Sequence, residues 1–436
     1  MAKNIDKRIR SFSVLTLGCS KNVVDSERII SLLSANGLRY EPNADAADAV
    51  IVNTCGFIKS SKEESVRVIF DVCALKRSRR IRKVVVTGCF SERYGDELAD
   101  QINGVDLFFG VNAEQEILRA LVERNDYDFP LERKLLTPKH YAYLKISDGC
   151  NHQCAFCAIP GIRGKYVSTP VDELRGEAQE LVRSGVRELN VIAQDTTYYG
   201  RDLGGASQLP ELLESLSSIE GLPWLRLLYA YPTAFPDHAL EIMAERANIC
   251  KYIDIPLQHI SDRVLKSMGR GITGKQIYSL LEKIRKAVPG VAIRTSLIVG
   301  FPTEQEKDFE ELKSFVGNAE IDRLGVFMYS REDSTPAFGL GDPIDDAEKL
   351  RRADEIMELQ QGISLKKNRE KIGKKIKVLI EGEAEDAGFW GRSEHDAPEI
   401  DNAVLLPGAV GLTAGQFVTA EIYDASEYDV VAKVIS

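Results

Sequence analysis

Three cysteines fall within eight consecutive residues of this chain, at Cys150, Cys154 and Cys157. We call them the clustered triad. Thiolates at this spacing can bind three irons of a 4Fe-4S cubane and leave the fourth iron without a protein ligand. Such an iron can chelate a substrate or cofactor, whereas a fully ligated cluster only passes electrons. The spacing differs from the paired sets that close a zinc tetrahedron, but a zinc site with His152 as its fourth ligand remains the alternative.

A second set of cysteines, Cys19, Cys55 and Cys89, is spread over the first part of the chain. We call it the dispersed triad. Each member ends a short apolar run of the kind that forms a buried strand. A single cysteine in that position is usually a small buried hydrophobe, but three at matching positions favour a second cluster. Cys73 falls in a helical pattern and Cys250 precedes a strand, so both are predicted to be core residues.

The elements that would position the dispersed triad form a βα repeat. Residues 14–19, 50–55 and 84–89 are typical of buried parallel strands, and a helical pattern follows each of them. In open parallel sheets the carboxyl ends of the strands form the edge where ligands bind. We therefore expect the three cysteines to meet at this edge.

A new series of apolar runs begins near residue 141, with amphipathic stretches between the runs. These runs cover residues 141–146, 189–193, 225–229, 252–257, 293–299 and 324–329. Six βα units are too few for a closed eight-fold barrel and predict a partial (β/α)6 barrel. The clustered triad follows the first strand, and active sites of such barrels lie at the carboxyl ends of the strands. This position favours a catalytic cluster over a scaffolding zinc.

The flanking segments complete an α/β architecture. A charged stretch with prolines at residues 130–139 predicts a linker, and residues 345–371 predict one long helix. Short strand patterns that predict a small β-barrel cover residues 377–382, 403–406, 416–423 and 430–435. We place three domains: an N-terminal open parallel α/β domain at 1–136, the partial barrel with its connecting helix at 137–370, and the β-barrel at 371–436.

Composition and charge restrict the class of protein. The 436 residues carry a formal net charge of −10, and they contain no apolar run long enough to span a bilayer. The first ten residues lack the apolar core of a secretory signal, so we expect a cytoplasmic protein. In that compartment the eight cysteines are expected to be ligands or core residues rather than disulfides. The negative charge disfavours a protein that coats nucleic acid and favours a basic partner.

The clustered triad and the predicted partial barrel resemble the radical S-adenosylmethionine superfamily. This resemblance implies that Cys150, Cys154 and Cys157 bind a 4Fe-4S cluster whose open iron chelates the amino and carboxylate groups of S-adenosylmethionine. Electron transfer would then cleave the sulfonium and give a 5'-deoxyadenosyl radical. The resemblance also implies that Phe156, beside the third cysteine, shields the cluster from water.

The N-terminal motifs are similar to those of the methylthiotransferases, which join a cluster domain, a radical domain and a C-terminal TRAM barrel. These motifs cover residues 17–22, 24–27, 52–58, 88–90 and 93–94. They resemble the branch that modifies an aspartate of a small-subunit ribosomal protein more than the branches that modify tRNA adenosines. The resemblance implies that Cys19, Cys55 and Cys89 bind a second 4Fe-4S cluster, which carries the sulfur to be methylated and delivered.

The same resemblance implies a mechanism and its cofactors. One S-adenosylmethionine would supply the methyl group, and another would supply the radical that abstracts hydrogen from the β-carbon of the aspartate. An electron donor such as flavodoxin or ferredoxin would reduce the enzyme. No acid–base catalytic residue is required.

The resemblance extends to candidate contacts with S-adenosylmethionine. Gln194 lies where the superfamily usually contacts the amino group, and the segment from Ser296 to Gly300 lies where it passes the adenine. Polar residues at strand ends are also ordinary turn chemistry, so both interpretations stay open. The chain departs from the family pattern at three positions, none of them a cluster ligand: Thr169, Ser334 and Asn402. The first replaces a common Arg, which removes a basic contact, and the other two replace residues that are often Gly.

Two other functions are open at this point. A tRNA methylthiotransferase of the same fold would be favoured by a basic C-terminal barrel. A non-catalytic iron-sulfur or zinc protein could dock on ribosomes through the same barrel. Residues 371–436 contain six basic and twelve acidic residues, a net charge of −6, which disfavours tRNA. That charge predicts an acidic docking face for a basic ribosomal protein.

Overall fold

The computed structural model describes residues 8–124, 126–233, 235–384 and 388–435. The strands in these ranges are β1 (Ser11–Thr16), β2 (Arg39–Tyr40), β3 (Ala49–Thr54), β4 (Lys83–Gly88), β5 (Leu107–Phe108), β6 (Tyr141–Lys145), β7 (Ser147–Asp148), β8 (Val167–Ser168), β9 (Glu188–Ile192), β10 (Trp224–Leu227), β11 (Ile249–Asp254), β12 (Ala292–Val299), β13 (Arg323–Met328), β14 (Lys375–Glu383), β15 (Gly388–Arg392), β16 (Val404–Pro407), β17 (Phe417–Ala425) and β18 (Val430–Val434). The helices are α1 (Ser20–Ala35), α2 (Lys59–Arg77), α3 (Cys89–Gln101), α4 (Glu114–Leu121), α5 (Ile159–Arg163), α6 (Val171–Arg183), α7 (Arg201–Gly204), α8 (Leu209–Ser217), α9 (Asp237–Glu245), α10 (Asp262–Ser267), α11 (Gly274–Ala287), α12 (Glu306–Ala319) and α13 (Asp346–Arg369).

The chain divides into two compact units. The first unit consists of residues 1–137, 148–151 and 157–166, and the second of residues 138–147, 152–156 and 167–436. Of the clustered triad, Cys150 and Cys157 belong to the first unit and Cys154 to the second. The division into three domains at residues 136 and 370 stays a prediction beside this one.

A parallel sheet with the strand order β2-β1-β3-β4-β5 forms the centre of the first unit. Successive side chains of β3 enter two different apolar clusters, since Val50 packs with Ile69 and Ile51 packs with Ile30. A strand buried on both faces gives the continuous apolar run that the sequence shows. The three predicted strands are confirmed. The edge strands β2 and β5 have no sequence signal, because two residues are too few to show a period.

The second unit contains a sheet of six parallel strands in the order β13-β12-β11-β10-β9-β6. These strands follow the chain order, and helices lie between them along the chain. This is the topology of a partial barrel, so the predicted (β/α)6 fold is confirmed. Each of the six strands overlaps one of the predicted apolar runs.

The C-terminal strands form a closed barrel in the order β14-β15-β16-β18-β17, which confirms the predicted small β-barrel. β15 pairs with both β14 and β16, although the sequence pattern did not indicate it. Its five residues include two glycines and no β-branched residue, so local strand propensity is weak and pairing with the neighbours decides the structure.

The long helix α13 precedes this barrel and confirms the prediction of one helix at residues 345–371. Its N-terminus is capped by Asp345, whose carboxylate accepts the N–H of Glu348 at 2.8 Å. Ile356 and Ile363 are buried, and the side-chain amide of Gln360 donates to a backbone carbonyl at 2.9 Å. Neither α13 nor another helix in the described ranges is long and apolar enough to cross a membrane.

Candidate active site: two cysteine triads

The dispersed triad lies at one edge of the parallel sheet in the first unit. Cys19 immediately precedes α1 and is exposed, whereas Cys55 directly follows β3, Cys89 directly follows β4, and both are buried. The strands β1, β3 and β4 are hydrogen-bonded neighbours, so their carboxyl ends share that edge. The structure thus brings the three cysteines to one edge, while their role as cluster ligands stays a prediction.

Close packing at this edge depends on Gly18. Its φ of +91° is in the left-handed region, and a Cβ there would lie 2.7 Å from Cβ and 2.9 Å from Sγ of Cys55. Glycine alone avoids both costs. At the next strand, a Cβ on Gly56 would lie 3.0 Å from the carbonyl oxygen of Cys89. The backbone segments that contain the three cysteines are therefore in contact.

The two buried thiols of the dispersed triad have raised pKa values. Burial raises the pKa of the Cys55 thiol, and the nearby charge of Cys19 raises it further. Burial also raises the pKa of Cys89 to about 11, while the guanidinium of Arg163 acts in the opposite direction. Because a metal ligand must be a thiolate, iron binding at this edge would release protons from these buried thiols.

Buried polar side chains hold the backbone around the dispersed triad. The amide Nδ2 of Asn22 donates to the carbonyl oxygen of Thr54 at 3.1 Å, and its Oδ1 lies 3.9 Å from Sγ of Cys89. The hydroxyl of Ser65 donates to the carbonyl of Cys55 at 2.8 Å and accepts its N–H at 3.1 Å. Such contacts fix the cysteine segments independently of any cofactor.

Cys154 of the clustered triad is buried in the second unit, where two polar groups face its sulfur. Nη1 of Arg270 lies 3.4 Å from Sγ, and the hydroxyl of Tyr231 lies 3.8 Å from it. The guanidinium of Arg270 also lies over the Tyr231 ring, 4.2 Å from its centroid. Hydrogen bonds and charges this close to a cysteine sulfur tune the potential of a cluster bound through it.

His152 lies beside this group, and its Nε2 is directed at a carboxylate. Its Nε2 lies 2.6 Å from Oδ2 of Asp195, and its ring stacks on Tyr231 at 3.6 Å between centroids with an interplanar angle of 8°. Asp195 is buried and also accepts the N–H of Thr197 at 2.8 Å. These contacts engage Nε2 and one ring face, which disfavours the alternative of a zinc site with His152 as a ligand.

Backbone hydrogen bonds tie the loop of the clustered triad within each unit. In the first unit the N–H of Cys150 donates to the carbonyl of Gly164 at 3.1 Å, and Cys157 is half-buried. In the second unit the N–H of Ala155 donates to the carbonyl of Met268 at 2.8 Å. The loop therefore has a set conformation on both sides of Cys154.

The donor chemistry of both triads fits an iron-sulfur cluster with one open iron, since each offers three thiols and all eight cysteines are free. The two remaining cysteines, Cys73 and Cys250, are buried in the core, as predicted. Within the part of the chain that the structure describes, no group of three or more His, Cys, Asp or Glu side chains is arranged to hold a single metal ion.

The predicted contacts to S-adenosylmethionine occupy the carboxyl-end region of the partial barrel. Phe156 packs against an apolar cluster of the second unit, and Gln194 is half-buried two residues after the end of β9. Ser296 lies within β12 and Gly300 directly after it. A Cβ on Gly300 would lie 2.3 Å from Cγ of Lys349, so Lys349 makes the close approach that requires this glycine. The roles of these four residues in binding S-adenosylmethionine or shielding the cluster stay predictions.

Three residues around the triads had no signal in the sequence analysis. Arg270 is 116 residues from Cys154, and Tyr231 is 77 residues from it. Arg163 is close to the clustered triad in sequence, but its hydrogen bonds to Asn22 and Asp25 join residues that are far apart along the chain. Asp195 could have been found, because it follows Gln194 at the end of a predicted strand.

Many acidic residues of the C-terminal barrel face the partial barrel of the same unit. Asp396 binds Arg323 at 2.5 Å, and Glu399 accepts the hydroxyl of Tyr141 at 2.8 Å. Five carboxylates make such contacts: Glu381 with His140, Glu394 with the N–H of Lys251, Asp396 with Arg323, Glu399 with Tyr141, and Asp401 with Tyr252. Much of the acidic excess is therefore used inside the protein.

The outward-facing charge of this barrel is nearly balanced in the described ranges. The acidic residues that remain are Glu383, Glu421, Asp424, Glu427 and Asp429, and the lysines are Lys374, Lys375, Lys377 and Lys433, since Lys371 is largely buried beside Arg323 and Asp396. Glu385 and Asp386 lie outside the described residues. The acidic docking face for a basic ribosomal protein therefore stays a prediction.

Comparisons with known proteins agree with this architecture. The Radical SAM superfamily model matches residues 144–316, the model of uncharacterized protein family UPF0004 matches 11–110, and the TRAM domain model matches 372–435. A solved structure of the radical S-adenosylmethionine methyltransferase TsrM from Kitasatospora setae has a TM-score of 0.56 over 76% of this chain and 77% of that one, at 12% identity, a likeness of fold alone. Fold and site together define a radical S-adenosylmethionine enzyme.

Relatives narrow this class. A protein named ribosomal protein uS12 methylthiotransferase RimO from Flavobacterium johnsoniae is 49% identical over 96% of this chain and 96% of its own length. The protein of the same name from Chloroherpeton thalassium is 47% identical over 97% of this chain and 98% of its own length. This chain belongs to the RimO family of methylthiotransferases.

Proposed function

We propose that this chain adds a methylthio group to the β-carbon of an aspartate in the small-subunit ribosomal protein uS12. The observation that carries this proposal is the identity of 44–49% to relatives named ribosomal protein uS12 methylthiotransferase RimO, over nearly the whole chain. The matches extend through the N-terminal region, the partial barrel and the C-terminal barrel. Each part that acts in the relatives therefore has a counterpart here.

The two triads take different parts in the proposed reaction. Cys150, Cys154 and Cys157 would hold the cluster whose open iron binds S-adenosylmethionine, and the dispersed triad would hold a second cluster. When bound, these groups supply a 5'-deoxyadenosyl radical and the sulfur that is transferred. The β-carbon of an aspartate has no readily ionised hydrogen, which is why a radical is needed.

Residues of this chain prepare the clustered triad for that role. Arg270 and Tyr231 direct donors at the sulfur of Cys154, and both are largely buried, so these interactions are stronger than in water. His152 supports Tyr231 by stacking on its ring and is itself held by Asp195. The group fixes one cysteine ligand in position and places a positive charge beside its sulfur.

The substrate assignment rests on the relatives rather than on barrel charge, because the outward charge of the barrel is nearly balanced. No observation favours the alternative, a tRNA adenosine. A ribosomal protein substrate would place the reaction in the cytoplasm, and an electron donor such as flavodoxin or ferredoxin would supply the electrons.

The test is an anaerobic assay of protein reconstituted with iron and sulfide. The enzyme is given S-adenosylmethionine, a reductant and either uS12 or tRNA, and the products are examined by mass spectrometry. We expect a methylthio group on uS12 and none on tRNA. Methylthiolated tRNA with unchanged uS12 would move the function to the tRNA-modifying branch, and an absence of S-adenosylmethionine cleavage would support a non-catalytic docking protein.

A further inference from the structure

One buried arginine of the first unit contacts segments from both triads. Arg163 is the last residue of α5, six residues after Cys157, and its side chain is 1% exposed. The same helix packs Ile162 in an apolar cluster with Cys89. The guanidinium group of Arg163 donates hydrogen bonds in two directions.

In the first direction Arg163 reaches α1, the helix that begins directly after Cys19. Its Nη2 donates to Oδ1 of Asn22 at 2.8 Å and to Oδ2 of Asp25 at 2.9 Å. The same Oδ1 of Asn22 lies 3.9 Å from Sγ of Cys89. The guanidinium also acts on the Cys89 thiol itself, through its charge and a side-chain hydrogen bond, so it contacts a member of the dispersed triad.

In the second direction Arg163 reaches the start of the clustered triad. Its Nη1 donates to both carboxylate oxygens of Asp148, at 3.0 and 3.2 Å. Asp148 stands two residues before Cys150, whose own N–H is bonded to the carbonyl of Gly164. The loop that supplies Cys150 is thus held by Arg163 and by the residue after it.

The guanidinium remains charged in this buried position. An arginine side chain keeps its proton in proteins, and the carboxylates of Asp25 and Asp148 pair with this one at 2.9 and 3.0 Å. A permanent positive charge near a cluster ligand stabilises the reduced form of the cluster, which is the more negative one. The hydrogen bonds of Arg163 and its positive charge therefore both act beside the dispersed triad.

We propose that Arg163 is a positioning residue that fixes the Cys150 loop against α1 and places a positive charge beside the cluster of the dispersed triad. This inference rests on the proposed function, because it requires both triads to bind clusters. An arginine is needed, since only its planar fork can bind Asp148 and α1 at once. When the fork is lost, radical formation continues but is poorly coupled to methylthio transfer.

Two substitutions separate the effect of the positive charge of Arg163 from the effect of its planar guanidinium group. Arg163→Lys keeps the charge and loses the fork, whereas Arg163→Gln loses the charge. In protein whose clustered-triad cysteines are replaced by Ala, a redox titration followed by electron paramagnetic resonance reports the remaining cluster alone. We expect Arg163→Gln to lower its midpoint potential and Arg163→Lys to stay nearer the wild-type value. In the complete enzyme both should raise the ratio of 5'-deoxyadenosine to methylthiolated product by about 10-fold or more.

Arg133→Gln is the matched control, because Arg133 is also a buried arginine of the first unit and pairs with Glu27 at 2.8 Å. It should leave potential and ratio unchanged. A folded, iron-loaded Arg163→Gln protein with wild-type potential and ratio overturns the proposal. If that variant loses iron, Asp148→Asn is the second test, because it keeps Arg163 and removes only the charge of its partner. An unchanged ratio of 5'-deoxyadenosine to methylthiolated product in Asp148→Asn would overturn the positioning role. Failure of the proposed function looks different, since wild-type enzyme would then form no methylthiolated product.

Discussion

The cysteines of the two triads are placed by different features of the chain. Neighbouring members of the clustered triad are 4 and 3 positions apart in the sequence, on one loop. Those of the dispersed triad are 36 and 34 positions apart and lie at the ends of neighbouring parallel strands. In the clustered triad the chain spacing limits the geometry, and side chains such as Arg270 adjust the sulfur environment. In the dispersed triad the geometry depends on sheet register and on close packing at Gly18. The first should respond most to changes around sulfur, and the second to changes in packing.

The largest effect should follow from removing the clustered triad. Replacing Cys150, Cys154 and Cys157 together by Ala should lower bound iron from about eight to about four per chain and abolish 5'-deoxyadenosine formation. Iron analysis and chromatography of the reaction measure both. Cys250→Ala, in the core of the same unit as Cys154, should keep both values. Unchanged cleavage in the triple variant would contradict the assignment of the radical site.

Removing the dispersed triad should separate the two roles. Replacing Cys19, Cys55 and Cys89 by Ala should also halve the iron, but reductive cleavage of S-adenosylmethionine should remain detectable while methylthio transfer stops. Mass spectrometry of uS12 and assay of 5'-deoxyadenosine give the two readouts. The control is Cys73→Ala, and loss of a cluster in that variant would show that the ligands are assigned wrongly.

A single methyl group should test the packing of the dispersed triad. Gly18 and Gly37 have φ values of +91° and +90°, so alanine costs about 1 kcal/mol of backbone strain at either position. Only at Gly18 would the new Cβ meet Cys55, because nothing lies within 4 Å at Gly37. We expect Gly18→Ala to weaken iron binding at the dispersed triad by about 10-fold or more, and Gly37→Ala to leave it unchanged. Equal iron contents in the two variants would mean that Gly18 has no role in the site.

The smallest of these effects concerns the sulfur of Cys154. Arg270→Gln removes a positive charge 3.4 Å from Sγ, so we expect a lower midpoint potential of the clustered-triad cluster and cleavage that is slower by about 10-fold. Redox titration of protein that lacks the dispersed triad measures the potential. Arg263→Gln, which removes a partly exposed arginine paired with Asp308, should change neither quantity. A wild-type potential in Arg270→Gln would leave that arginine a purely structural role.

Most of the fold could be predicted from the sequence, because the central strands of its two parallel sheets are mostly buried and have continuous apolar runs. The runs at residues 50–55 and 293–299 are examples, and β3 and β12 lie there. β15 could not be predicted, since its residues have weak strand propensity and pair only because β14 and β16 lie on either side.

Residue type and spacing in the sequence predicted only part of the candidate site. The cysteines of both triads could be selected in that way, but Arg163 and Arg270 could not, because tertiary structure alone brings them to their partners. A count of the charges in the C-terminal barrel likewise does not show which of them pair inside the protein. Asp396 and Glu399 count as negative charge in the sequence, yet in the structure they bind Arg323 and Tyr141.

The most direct test of the central claim, that two triads with different roles modify one ribosomal protein, is mass analysis of uS12 from cells that lack this gene. The cells are complemented with wild-type enzyme or with either triple-alanine variant, and the intact protein and its peptides are measured. We predict a methylthio group on one aspartate of uS12 with wild-type enzyme only, although the purified dispersed-triad variant still forms 5'-deoxyadenosine. A methylthio group that persists on uS12 with the dispersed-triad variant, or in cells without the gene, would contradict this account.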